Sequence, residues 1–253
     1  MSKFAFFSRI LTVAATAALS SLTTFAQMPT GSPAGVDATL AQLFGNITAF
    51  SAQADVRVLD KDQQETMTTP MAFAFREQKV RVDIDLSKLK SKQVSAAAAQ
   101  QLKQMGMEQV TSIIRPDKKQ MYIVYPALQS CVTMPLPKEE VAAIDKPPKV
   151  AKTELARETL DGHPCVKNKV TLTDDKGQTR DAVTWNASDL KDFPVQIQTA
   201  EKDNTLIMHF SRVKFERPDA QQFEAPTGYT QYADMQEMMM GVMKKMLGGS
   251  GGK

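Results

Sequence analysis

Apolar and polar residues alternate along most of the chain, which is the pattern of a half-buried β-strand. The clearest case is 79–85, where Val80, Val82 and Ile84 alternate with charged residues. The same period predicts further strands, separated by turn residues, at about 50–58, 67–76, 110–115, 120–125, 129–134, 152–159, 164–172, 178–185, 194–200 and 205–215. The pattern therefore predicts a mainly β (α+β) domain built on a meander of antiparallel strands.

Other segments interrupt this meander. Residues 36–48 and 91–108 place apolar side chains at intervals of three and four, which predicts amphipathic helices, the second as an insertion between strands. Residues 135–149 contain four prolines, which exclude a central strand and indicate a connection. The C-terminal 233–253 is predicted to be a methionine-rich helix with a Gly/Ser tail.

Several strands are apolar on both faces. In 205–215, one side carries Leu206, Met208 and Phe210, and the other carries Ile207, Val213 and Phe215. A sheet with one wet face would be polar on its second side, so either helices or an internal cavity must cover that side. The candidate cavity residues are Phe73, Phe75, Val82, Met121, Ile123, Met208 and Phe210. The alternative is that the same residues form an ordinary packed core.

Residues 1–26 have the order of a secretory signal peptide. A basic start precedes an uncharged apolar run over 10–22, and small residues end the segment at Ala26. The run is shorter than the roughly 20 apolar residues that cross a bilayer, which argues against a membrane anchor. We therefore expect export, with cleavage before Gln27 and a flexible leader over 27–35.

Composition narrows the function classes. The formal net charge is +3 over 253 residues, and no basic stripe with interleaved aromatic residues occurs. Nucleic acid is therefore not an expected partner. Residues 36–232 have the length of one domain.

The chain has two cysteines, Cys131 and Cys165. Because exported proteins rarely keep two free thiols, a disulfide between them is expected. It would close a loop of about 35 residues and stabilise the fold by roughly 4 kcal/mol. The alternative is a redox or metal site, for which the spacing is poor. We expect neither a metal nor a cofactor.

Six methionines fall within residues 235–246. In a helix, Met235, Met239, Val242 and Met246 form one stripe. Since methionine fills irregular apolar surfaces, this stripe is predicted to dock on the domain or on a protein partner. Coordination of Cu(I) by thioethers is an alternative, although the tail has no histidine to accompany them.

Catalytic residues are not evident in the sequence. His163 and His209 are the two histidines, and neither belongs to a triad-like arrangement. A glycine-rich phosphate loop is also missing. The chain is therefore not expected to be an enzyme.

The order of parts resembles a known family. An amphipathic helix leads into a strand over Leu40–Ala52, a strand pair with basic residues covers Phe73–Asp83, and Phe223–Gly228 brings together a phenylalanine, a proline and a glycine. Over 36–232 this order resembles the periplasmic lipoprotein-carrier (LolA/LolB-like) superfamily, nearer to its uncharacterised secreted relatives. The resemblance implies a curved antiparallel sheet, a half-open β-barrel, closed by helices over an apolar cavity.

The resemblance also implies a function, namely non-enzymatic binding of an apolar ligand in the periplasm by a carrier or chaperone. The ligand would be a lipid or the acyl chains of a lipoprotein. A cavity of Phe, Met, Ile and Val suits acyl chains, because each buried CH₂ contributes about 0.8 kcal/mol. The alternative is a periplasmic sensor or protein-interaction module of the same fold.

Overall fold

A computed structural model describes residues 40–92, 94–201 and 203–248. The helices are α1 (Leu40–Leu43), α2 (Ala96–Gln104), α3 (Lys138–Asp145) and α4 (Met235–Gly248). The strands are β1 (Ala49–Leu59), β2 (Glu65–Arg76), β3 (Lys79–Asp85), β4 (Lys90–Ser91), β5 (Gln109–Arg115), β6 (Gln120–Tyr125), β7 (Ser130–Pro135), β8 (Lys149–Leu160), β9 (His163–Thr173), β10 (Thr179–Ala187), β11 (Phe193–Glu201), β12 (Asn204–Lys214) and β13 (Thr230–Tyr232). The predicted signal peptide and leader lie outside the described residues.

The strands form one sheet in the order β13-β7-β6-β5-β3-β2-β1-β12-β11-β10-β9-β8, and β4 pairs with β2 beside this path. Neighbours are antiparallel except for β13, which runs parallel to β7. Because β13 and β8 end the path, the sheet stays open. This confirms the expected mainly β architecture with an open sheet and a few helices.

Short turns produce the meander. Asp60 accepts hydrogen bonds from the backbone N–H groups of Asp62 and Gln64 after β1. The β8–β9 hairpin turns at Asp161 and Gly162, with φ of 51° and 84°. Positive φ at both central residues is typical of the tight turns whose twist matches that of the flanking strands.

Both faces of the sheet are covered in its β2–β7 half. Successive residues of a strand point to opposite faces, and Phe73 and Phe75 join a large buried cluster whereas Ala74 joins a smaller one. All four helices, or the residues next to them, pack on the large cluster, through Leu43 and Phe44, Leu102 and Met105, Val141 and Ile144, and Met238 and Val242. The smaller cluster contains Ile113, Tyr122, Val124, Cys131 and Phe223. This double cover explains why the strands of this half are apolar on both sides. In residues 205–215 the outcome differs, because Leu206, Val213 and Phe215 pack against the same large cluster that contains Met208 and Phe210.

The smaller cluster is closed by residues 216–229, which we call the strap. Three arginines on β2, β3 and β5 donate hydrogen bonds to strap carbonyl oxygens: Arg76 to Pro218 at 2.8 Å, Arg81 to Gln222 at 3.0 Å and Arg115 to Phe223 at 3.0 Å. The chain then adds β13 beside β7 and returns on the other face as α4. The C-terminal part thus wraps the β7 edge of the sheet.

The helices differ in extent from the sequence prediction. Of 36–48, the described part is helical only over α1, and within 91–108 the helix is α2, which Ser95 caps by accepting a hydrogen bond from the Ala98 N–H. Residues 135–149 were predicted to be a connection because of their prolines, but they contain α3. The prolines do not prevent this helix, because Pro137 precedes it and does not interrupt it.

The expected disulfide is wrong. Cys131 and Cys165 are both free and buried. Cys131 belongs to the smaller cluster on β7, and Cys165 belongs to the large cluster on β9. In the sheet order, β7 and β9 are separated by β6, β5, β3, β2, β1, β12, β11 and β10. The two thiols therefore lie in different parts of the fold, which the spacing along the chain did not reveal.

Candidate functional site: the phenylalanine cluster and its cleft

The centre of the large cluster is a group of aromatic rings, each at most 3 % exposed, which we call the phenylalanine cluster: Phe44, Phe50, Phe73, Phe75, Phe193 and Phe210. Neighbouring ring centroids lie 4.8 to 6.3 Å apart. Stacked and edge-to-face pairs both occur, and such pairs contribute about 0.5–1.5 kcal/mol beyond the area that they bury.

The register of β1 with its two neighbours assembles most of this cluster. Phe50 lies opposite Phe75 of β2, and Ala52 lies opposite Phe73. On the other side, Ala54 lies opposite Phe210 of β12. Because alanine is small, β1 leaves room for the rings that reach over it from both sides.

Phe44 is the member that no strand carries. It follows α1, at a tight turn where Gly45 has a φ of 60° and the Ile47 N–H donates to the Phe44 carbonyl oxygen. Its ring centroid lies 4.8 Å from that of Phe50 and 5.3 Å from that of Phe75. The rings of Phe73, Phe193 and Phe210 lie at 5.8–5.9 Å. Phe44 therefore occupies the middle of the cluster from above the sheet.

A cleft of about 210 Å³ opens beside Phe44. Its lining residues are Leu43, Phe44, Gly45, Asn46, Ile47, Lys152, Lys191 and Asp192. Lys191 and Asp192 belong to the turn between β10 and β11, and the Lys191 ammonium lies 4.8 Å from the ring centre of Phe215. The cleft is thus lined by apolar residues of the α1 turn together with two lysines and one aspartate.

A second cleft, of about 280 Å³, lies along the β8–β9 hairpin and includes Cys165. Burial raises the pKa of the Cys165 thiol, so the reactive thiolate is disfavoured. His163 Nδ1 lies 2.8 Å from Asp189, and His209 Nε2 lies 2.5 Å from Asp161. Within the described ranges, no group of three or more His, Cys, Asp or Glu side chains is arranged to hold a metal ion.

The seven candidate cavity residues are brought together by the structure. Phe73, Phe75, Val82, Met121, Ile123, Met208 and Phe210 all join the large cluster, each at most 8 % exposed. Neither cleft is lined by any of them. Sequence reasoning missed Phe44, whose spacing from Leu40 and Leu43 already placed it on the predicted helix face, and it missed the lysines of the cleft, which no local pattern marks.

The methionine-rich helix docks on the domain in the described residues. Met235 and Met239 pack against the large cluster, Val242 is 5 % exposed, and Met238 is fully buried. Met240 and Met243 face outward, 58 % and 55 % exposed. The side chain of Met246 lies outside what the structure describes. No helix of the described ranges has both the length and the apolar content to cross a membrane.

A family model described as "Domain of unknown function (DUF4412)" matches residues 59–193. The chain belongs to the DUF4412 family. The DUF4412 match runs from the end of β1 to the start of β11, so it includes Phe73, Phe75, Lys152, Lys191 and Phe193. No curated protein matches this DUF4412 chain.

Solved structures similar to this DUF4412 protein include a LolA superfamily protein from Nitrosomonas europaea, with 11 % identity and a TM-score of 0.37 over 74 % of this chain and 94 % of that one. Lipoprotein LppX from Mycobacterium tuberculosis has 13 % identity and a TM-score of 0.36 over 69 % and 91 %. A putative outer membrane lipoprotein-sorting domain from Vibrio parahaemolyticus has 11 % identity and a TM-score of 0.32 over 74 % and 96 %. LolA-superfamily proteins are thus among the structures that the chain resembles, as the sequence indicated. TM-scores this low mark a general likeness, from which nothing about the ligand of this chain follows.

Proposed function

We propose that this protein is a non-enzymatic periplasmic carrier that binds a lipid or the acyl chains of a lipoprotein. The chain of the ligand would enter the phenylalanine cluster in place of Leu43 and Phe44, when α1 moves away from the sheet. The observation that carries this proposal is the position of Phe44, which fills the middle of the cluster from the turn after a four-residue helix and also borders a cleft.

The five other rings stand on β1, β2, β11 and β12, where ladder hydrogen bonds hold them in place. No strand ladder among the described residues includes α1, which the structure attaches through the packing of Leu43 and Phe44 on the large cluster. Segments with few structural hydrogen bonds open at a lower free energy than the sheet that they cover. An acyl chain can restore the apolar contacts that α1 gives up, since each buried CH₂ contributes about 0.8 kcal/mol.

The charges of the cleft support an amphiphile rather than a plain hydrocarbon. Lys152 and Lys191 line the cleft together with Phe44, and Asp192 is the one acidic residue of that lining. A carboxylate or phosphate head group accepts hydrogen bonds from lysine ammonium groups while its chain lies among the rings.

One other function, that of a protein-interaction module, competes with this proposal. The cluster can be a permanently packed core, which would leave protein binding as the function. The outward-facing Met240 and Met243 favour that reading, because exposed methionines suit an adaptable contact surface.

Binding of a dansyl-labelled fatty acid separates these readings. We expect saturable binding by the wild-type protein, and about tenfold tighter binding by Phe44→Ala, because a closed state that competes with the ligand lowers its apparent affinity. Phe210→Ala should also alter uptake, since its ring lines the same space. Phe223→Ala is the matched control: this equally buried ring belongs to the strap and packs in the smaller cluster, so its loss should destabilise the fold by about 3–5 kcal/mol without changing ligand affinity.

Urea unfolding measured beside the binding assay completes the test. If neither the wild type nor Phe44→Ala binds, and Phe44→Ala costs the 3–5 kcal/mol of a core ring, the cluster is a packed core and the carrier proposal fails. Mass spectrometry of organic extracts from the purified protein identifies any ligand that remains bound.

A further inference from the structure

The last strand of the sheet, β8, is open to solvent on both faces. Residues 149–159 are all exposed, and Val150 and Leu155 remain 42 % and 52 % exposed. No described strand pairs with the outer edge of β8. The opposite end of the sheet differs, because β13 and α4 follow β7 there. An open edge presents unpaired N–H and C=O groups to which another strand can bind.

We propose that β8 pairs antiparallel with β8 of a second copy of this chain, about a two-fold axis at Leu155, so that two sheets join into one. In this register Lys152 lies opposite Glu158 of the partner. The symmetry repeats each pair, as in any interface that uses the same patch on both copies. Leu155 meets its own copy, and Val150 lies opposite Leu160.

The order of charges disfavours three of the four nearest registers. A shift of one residue toward the N-terminus places Lys152 opposite Arg157, and a further shift places Glu154 opposite its own copy. A shift of two residues the other way places Glu154 opposite Glu158. Like charges directly opposite each other destabilise a strand pair, whereas opposite charges stabilise it. A shift of one residue toward the C-terminus is the exception, because it places Glu154 opposite Arg157 of the partner. β8 therefore carries a charge order that is compatible with self-pairing in two adjacent registers, and only the register centred on Leu155 brings Lys152 opposite Glu158.

The bulge in β8 is compatible with this arrangement. Glu154 pairs with Asn168 and Ala156 pairs with Lys167, so Leu155 is an extra residue without a partner on β9. A bulge interrupts a ladder locally, which divides the intermolecular pairing into two halves on either side of the axis. Lysines and bulges on an edge discourage pairing with arbitrary strands. In β8 they still permit pairing with a second copy of the same strand.

Sedimentation of the mature chain tests this inference directly. We expect a dimer for the wild type. In Leu155→Asp the dissociation constant of the dimer should rise at least tenfold, because two carboxylates then meet at the axis. The melting temperature of the monomer should not change, since Leu155 is exposed. Met240→Asp is the matched control: it adds the same charge at an equally exposed apolar residue on α4, and the dimer should persist. A monomeric wild type at every concentration up to the solubility limit overturns the proposal.

Charge reversal tests the register. Lys152→Glu and Glu158→Lys should each weaken the dimer alone, and an equimolar mixture of the two variants should restore it, because opposite charges then face each other at both ends. As a check independent of folding effects at Glu158, Leu155→Cys should form a disulfide-linked dimer on mild oxidation. Thr153→Cys should not, because four residues of strand separate the two copies by about 14 Å. Equal cross-linking of both cysteine variants, or a mixture that stays monomeric, contradicts this register.

Discussion

Arg115 lies with its side chain only 5 % exposed, beside two carboxylates. Its Nε and Nη2 donate to Asp117 at 2.8 and 2.7 Å, and its Nη1 reaches Glu224 at 2.5 Å as well as the Phe223 carbonyl oxygen. The Arg115 guanidinium holds the pKa of Asp117 below its ordinary value. Lys118, and after it Arg115, lower the pKa of Glu224 in the same way. Arg115 thus connects β5 to the strap through its ion pair with Glu224 and its hydrogen bond to Phe223.

The pH dependence of stability follows from those directions. Because both carboxyl groups have lowered pKa values in the folded state, their stabilisation is present above the ordinary values of 3.8 and 4.5 and is lost as the pH falls through the lowered ones. We expect Arg115→Met to lower the free energy of unfolding by about 2–3 kcal/mol at neutral pH, less than for a fully buried pair because the carboxylates are half exposed.

Urea unfolding at neutral pH and in acid measures this effect. Arg115→Met should lose less stability on acidification than the wild type, because it no longer has the interaction that acid removes. Lys146→Met, which removes an exposed pair with Asp175, is the control and should change little. Parallel acid profiles for Arg115→Met and the wild type would contradict the role of Arg115.

At the scale of elements, α4 approaches β13 more closely than a side chain allows. A Cβ built on Gly241 would lie 2.7 Å from the Tyr232 hydroxyl oxygen and 2.9 Å from the ring. Tyr232 is itself buried in the large cluster. Glycine is therefore required here by a close approach between elements and not by backbone conformation.

Replacing Gly241 by alanine sets two effects against each other. Alanine favours the helix by about 1 kcal/mol, but overpacking against Tyr232 costs about 1–3 kcal/mol. We expect a net loss of stability, accompanied by faster hydrogen exchange in α4 and β13. The exposed Gln236→Ala on the same helix is the control and should be neutral or slightly stabilising. A higher melting temperature for Gly241→Ala would show that α4 does not pack on Tyr232 in solution.

At the scale of the whole molecule, the exported form is predicted to begin after Ala26. Intact mass of protein from the periplasmic fraction should correspond to a chain that starts at Gln27. Ala26→Leu places a large side chain where signal peptidase requires a small one, so the uncleaved precursor should accumulate. Protein in that fraction that still begins with Met1 would show that residues 1–26 are not a cleaved signal.

The strands and the need for double cover are determined by the sequence alone. Side chains of a strand alternate between faces because of the backbone itself, so seven residues such as 79–85 are enough to reveal both the strand and its buried side. Segments that are apolar on both sides, such as 120–125, also call for a second layer, and here the two sides join different clusters. The strands and the shared burial of the seven candidate residues were predictable for this reason.

Only the tertiary structure decided which segments meet. The sheet order separates Cys131 from Cys165, and the register of β1 with β2 and β12 gathers rings from three strands. Phe44 packs among them from the turn that follows α1. Arg115 reaches the Phe223 carbonyl across 108 positions of the chain, and the strap exists because of such contacts. Long-range contacts of this kind depend on how elements pair and pack after they form, and neither local period nor spacing along the chain contains that information.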